Sequence, residues 1–122
     1  MRYQPPFDTL HEECGVFGIY GDLETPPARA AYYGLYALQH RGQESCGIAV
    51  SDRGVLSVYR AMGLVSEVFD DDVLASLPGQ IAIGHVRYST AGGSFVQNCQ
   101  PLLMRYAKGR RAIAHNGNLT NA

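Results

Sequence analysis

The sequence predicts a strand-rich α+β domain with one long helix near its start. Cys14 to Tyr20 alternates small and apolar residues, and further short apolar runs follow along the chain, several closed by glycine or aspartate. That is the period of a strand and the punctuation of a turn. The stretch 27–40 instead joins a helix start signal to apolar residues spaced by three and four. The 122 residues, 46% hydrophobic and 17% charged, suit one domain. A chain of this length buries about two-thirds of its unfolded surface, enough for a true core.

Residues 1–13 are polar, contain Pro5-Pro6 and follow no period, so they read as an extended leader. Cys14 to Tyr20 is the first predicted strand, closed by Gly21-Asp22. Thr25-Pro26-Pro27 offers a hydroxyl cap followed by prolines for the first helical turn. Ala30, Tyr33, Ala37 and Leu38 share one side of the helix, Gly42 fits the position past its end, and His40 and Arg41 suit the negative pole of its dipole. Cys46 to Ser51 and Val55 to Ala61 form a hairpin across Asp52-Arg53-Gly54. Residues 63–69 stay ambiguous. Asp70-Asp71-Asp72 caps a short helix that Pro78-Gly79 ends, and Gln80 to Val86 is a strand. Arg87 to Gln100 reads as a glycine-rich loop, followed by strands Leu102 to Tyr106 and Arg111 to His115 across Ala107-Lys108-Gly109-Arg110. Asn118 starts a helix at Leu119 that Ala122 leaves unbuilt, as expected of a fragment.

Bulk properties remove several classes. A net charge of −1 gives no electrostatic footprint for nucleic acid or an anionic membrane. Three widely spaced cysteines, Cys14, Cys46 and Cys99, without a C-x-x-C pair, argue against a disulfide framework or a zinc site and for a reducing cytosol. The leader has no apolar core like that of a secretory signal, and no run is long enough to span a bilayer.

Chemistry gathers at element ends. Cys14 opens a strand as either a small core residue or a nucleophile. Arg87, followed by Ser89, Thr90, Gly92 and Gly93, is a fork for a substrate carboxylate or a plain surface arginine. Asn116-Gly117 is a hairpin turn or a pair of donors for an oxyanion. His11, His40, His85 and His115 have no protease context and read as structural. Cys46 reads as core, and Cys99 has no assigned role.

Five stretches taken in order carry a specific resemblance. They are Glu13-Cys14-Gly15-Val16-Phe17-Gly18, Leu38-Gln39-His40-Arg41-Gly42-Gln43-Glu44, Met62 to Phe69, Gly84 to Gly93, and Ala114-His115-Asn116-Gly117-Asn118-Leu119. Together they resemble the glutaminase domain of the amidophosphoribosyltransferases, a class II, N-terminal-nucleophile type. The resemblance implies the first part of a four-layer αββα sandwich. It implies a propeptide at 1–13, the N-terminal part of the glutaminase domain at 14–122, and an absent phosphoribosyltransferase domain. Cys14 would be the nucleophile, and its freed α-amino group, which titrates near neutrality, the base. Asn116 and Gly117 would form the oxyanion hole. Arg87 with Thr90 would hold the glutamine α-carboxylate, and Arg41-Gly42 would line the pocket.

The same resemblance implies glutamine and phosphoribosyl pyrophosphate as substrates and 5-phosphoribosylamine, the first step of purine synthesis, as product. It implies a cytoplasmic homo-oligomer, magnesium at the second site and, in some members, a 4Fe-4S cluster. No metal ligand is assigned in this sequence, and the fragment alone is expected to be inactive. Two alternatives stand beside it. A hexosamine-6-phosphate synthase type would carry tyrosine at His40 and tryptophan at Tyr88 and lack the leader. A non-catalytic glutamine-binding domain would keep the leader.

Overall fold

A computed structural model describes residues 15–21, 24–39, 43–88, 99–106 and 109–114. In chain order these form β1 (Gly15–Tyr20), α1 (Pro27–Leu38), β2 (Gln43–Asp52), β3 (Val55–Met62), α2 (Val65–Val68), α3 (Asp71–Ala75), β4 (Ile81–Tyr88), β5 (Leu102–Tyr106) and β6 (Gly109–Ile113). The α+β class is observed. Four strands make an antiparallel sheet in the order β1-β4-β2-β3, and β5 and β6 make a separate hairpin.

The long helix is present but shows the sheet a different face from the one its spacing suggested. Ala28, Ala31 and Leu35 are buried, whereas Ala37 and Tyr33 are exposed and Ala30 and Leu38 half-buried. Fit against the strands decides this. Gly34 leaves room for the Phe17 ring and Gly84 leaves room for Leu35, so the small residues of helix and sheet receive each other's large ones. The expected Thr25 cap is not made. Pro26 is the N-cap with Pro27 in the first turn, no side chain caps the helix, and the Pro26 carbonyl accepts from Ala30 N at 3.0 Å. At the other end Gln39 is already extended, so the helix stops two residues before the predicted His40. By contrast the Asp70 cap is made, its carboxylate accepting from Val73 N at 2.9 Å.

The β2–β3 hairpin turns on Arg53 and Gly54 alone, with φ of 54° and 93°. Two successive left-handed residues match the twist of the strands, and Asp52 joins the ladder opposite Val55. β4 runs two residues further than predicted, through Arg87 and Tyr88, because β2 begins earlier and supplies Ser45 and Gln43 as their partners.

Alternation assigns the two faces of the sheet. Cys46, Ile48 and Val50 pair with Val86, Gly84 and Ala82, and these pack with α1 into the core. The 99–101 segment lies on the opposite face. Arg60 Nη1 donates to the carbonyls of Cys99 (3.0 Å) and Pro101 (3.2 Å), and Ala112 of β6 faces Ala49 and Ile83 across an apolar hollow. The described layers are therefore helix, sheet, sheet, as in the first part of an αββα sandwich.

Candidate functional site

Arg87 is the one candidate residue among the described ones. Cys14, Arg41, Gly42, Thr90, Asn116 and Gly117 lie outside them. The expectation that Arg87 opens a loop is corrected. It sits inside β4, opposite Ser45, with 6% of its surface exposed. It shares a face with His85, two residues earlier, on the side of the sheet away from α1. β1 meets β4 at this end. Gly15, one residue after Cys14, pairs with Val86, one residue before Arg87.

A buried guanidinium needs a countercharge. Glu44 supplies it, with Oε2 3.5 Å from Arg87 Nε and side-chain exposures of 7% for Arg87 and 17% for Glu44. Plain alternation would send Glu44 and Ser45 to opposite faces. The ladder instead steps from Ser45↔Arg87 to Gln43↔Tyr88, so Glu44 is an extra residue. Such a bulge re-aims a side chain, and bulges are frequent beside active sites.

The bulge is held by its neighbours. Gln43 Nε2 donates to the carbonyls of Ser45 (2.9 Å) and Gly63 (2.7 Å), and Gly63 N donates to the Glu44 carbonyl at 2.8 Å. Val65 N, an amide at the start of α2 without a helical acceptor, donates to Gln39 Oε1 (2.8 Å) and Gln43 Oε1 (3.3 Å). Tyr88 Oη donates to the Leu38 carbonyl at 2.9 Å, taking up one of the free carbonyls that end α1. Gln39, Gln43, Glu44 and Tyr88 thus lock the end of α1, the bulge and the end of β4 together. Sequence reasoning assigned none of the four a role. The Leu38–Glu44 stretch did stand out as polar groups and glycine at an element end, but a bulge has no period to read.

The remaining candidates behave as structural groups. Cys46 is fully buried in the core, and burial first, then the nearby Cys99, pushes its thiol up to about 12. A thiol so raised stays protonated and is a poor nucleophile near neutrality. Cys99 is buried with its Sγ 3.7 Å from Met62 Sδ. His85 is fully buried within β4, in keeping with a structural reading. Among the described residues no group of three or more His, Cys, Asp or Glu side chains is placed to hold a metal. No described helix is long and apolar enough to cross a membrane. What the geometry offers is a buried guanidinium, paired with Glu44, beside the start of β1 and suited to a small carboxylate.

No protein-family model matches the chain. It is 53% identical over 109 residues to an amidophosphoribosyltransferase of Methanocaldococcus jannaschii, covering 89% of this chain and 23% of that protein. Among solved structures it is similar to the allosteric regulatory enzyme of purine biosynthesis, with a TM-score of 0.70 and 48% identity over 80% of this chain and 21% of the other. It is also similar to a glutamine phosphoribosylpyrophosphate amidotransferase from B. subtilis complexed with ADP and GMP. There the TM-score is 0.67 and the identity 42%, over 88% of this chain and 22% of that one. The chain spans about a quarter of the length of the curated relatives it matches.

Proposed function

We propose that this chain, which is similar over most of its length to amidophosphoribosyltransferases, supplies part of the glutaminase half of such an enzyme. Residues 1–13 are a propeptide. Their removal leaves Cys14 with a free α-amino group, which takes the thiol proton. The thiolate attacks the glutamine side-chain carbonyl. The tetrahedral oxyanion is held by the Asn116 amide and the Gly117 N–H, and collapses to a thioester as ammonia leaves with the transferred proton. Water then releases glutamate and restores the thiol.

Arg87, with Thr90 beside it, holds the glutamine α-carboxylate, and Arg41-Gly42 lines the pocket. The ammonia passes to phosphoribosyl pyrophosphate in a phosphoribosyltransferase domain beyond this chain, giving 5-phosphoribosylamine. Magnesium, and a 4Fe-4S cluster where one is present, belong to that remainder of a cytoplasmic homo-oligomer.

The observation that carries this reading is the pairing of Gly15 with Val86, which sets the residue after the nucleophile beside the residue before the buried Arg87. The intact mass of the enzyme carrying this segment, measured with and without Cys14→Ala, tests it. Loss of residues 1–13 from the unaltered enzyme, together with glutamine hydrolysis that Cys14→Ala abolishes, is expected. Hydrolysis by enzyme that still carries the leader would remove the α-amino base from the mechanism.

A further inference from the structure

We propose that Glu44 is a positioning residue for Arg87, fixing which edge of the guanidinium meets the substrate carboxylate; this rests on the reading that Arg87 binds glutamine. A guanidinium has two kinds of bidentate edge, one between its terminal nitrogens and one including Nε. Glu44 Oε2 stands at Nε, 3.5 Å away. The contact is an ion pair rather than a hydrogen bond, so it acts through charge: an anion held at Nε biases the substrate carboxylate to the terminal edge.

The restraint works only if Glu44 is itself fixed, and its backbone is. The bulge sets its direction, Gly63 N holds its carbonyl, and the Gln43 amide bridges Ser45 and Gly63 on either side. Three of the seven residues in the Leu38–Glu44 stretch, Gln39, Gln43 and Glu44, thereby serve to build and aim one buried ion pair. Glu44 touches no reacting atom in this scheme. It acts on substrate recognition through Arg87.

The test is a substrate preference measured in the intact enzyme. Glutamine and 4-aminobutanamide, which is glutamine without its α-carboxylate, are hydrolysed in parallel by the unaltered enzyme, Glu44→Gln and Arg87→Gln. Because the ratio of the two kcat/KM values comes from one preparation, loss of folded protein cancels. Glu44→Gln is expected to cut the preference for glutamine by between about tenfold and a hundredfold, as misaimed contacts do. The loss should lie in the KM for glutamine, with kcat nearly unchanged. Glu44→Asp, which keeps the charge but falls short of Nε, should lose less, and serves if the glutamine variant does not fold. A preference kept in both Glu44 variants but lost in Arg87→Gln overturns this inference and leaves the carboxylate clamp standing. A preference kept in Arg87→Gln overturns the clamp itself.

Discussion

The two faces of β4 are built from different chemistry. Toward α1 it presents Ala82, Gly84 and Val86, and away from it Ile83, His85 and Arg87. The first face is dry and closely packed, and each square ångström of apolar surface buried there contributes about 25 cal/mol. The second buries an ion pair and, in Ser45 Oγ, a hydroxyl without a hydrogen-bond partner among the described residues. Groups of that kind rarely add stability and commonly subtract from it. One strand therefore separates the two demands on the domain. The helix face provides the surplus that lets the other face carry costly polar groups in fixed positions.

The hardest blow to this division would come from the helix face. Leu35 is fully buried and fills the space that Gly84 leaves. Leu35→Ala should cost about 2–5 kcal/mol in urea unfolding, the range for a truncated core leucine. The KM for glutamine of the enzyme that stays folded should not change. A parallel rise in KM would mean that the two faces are not separable.

A smaller effect is expected where the sheet meets the 99–101 segment. A Cβ on Gly47 would run into the Gln100 carbonyl oxygen and come within 2.7 Å of Arg60 Cβ. Backbone cannot step aside as a side-chain tip can, so Gly47→Ala should cost about 1–3 kcal/mol. It should also loosen the Arg60 bonds to Cys99 and Pro101, visible as faster amide exchange along β5 and β6. Unchanged exchange would show that the second layer does not depend on this contact.

The Cys46 thiol gives a finer probe of how dry the helix face is. Its pKa is raised by burial to about 12 from an ordinary 9.0. Above pH 9 the unfolded chain gives up this proton while the folded one keeps it, so stability present below pH 9 is lost as pH rises toward 12. The slope is about 1.4 kcal/mol per pH unit for one proton. Urea unfolding between pH 9 and 10.5 should fall more steeply for the unaltered protein than for Cys46→Ala. Equal slopes would place the thiol in a wetter setting than its burial implies.

How much of this was legible in the sequence depends on which face one asks about. Strands are legible because alternation is local, and the Arg53-Gly54 turn and the Asp70 cap are legible because their residue types act on their own backbone. The buried side of α1 is not legible, because several stripes of that helix are small or apolar, and the fit of Phe17 and Leu35 against Gly34 and Gly84 chooses among them. Arg87 was legible as a residue type but not as a strand residue, since its partner Ser45 lies 42 positions away across a bulge. Glu44, Gln43 and Gln39 stood inside a motif already singled out. Their roles need the three-way junction of α1, β2 and α2, which no single stretch encodes.

Ser45 gives the smallest expected effect and the only one of opposite sign. It is 1% exposed, it sits opposite Arg87, and its hydroxyl lost water on folding without gaining a protein partner among the described residues. Removing such a group recovers part of its desolvation cost, so Ser45→Ala should stabilise the protein by about 1 kcal/mol. On the helix face no substitution of matching size should do the same, because no buried side-chain nitrogen or oxygen of the described residues there lacks a partner. A gain in the urea midpoint, at unchanged slope, would mark the polar face as held against its own stability. A loss of similar size would mean that the hydroxyl is satisfied, and that this face is as well packed in its polar groups as the other is in its apolar ones.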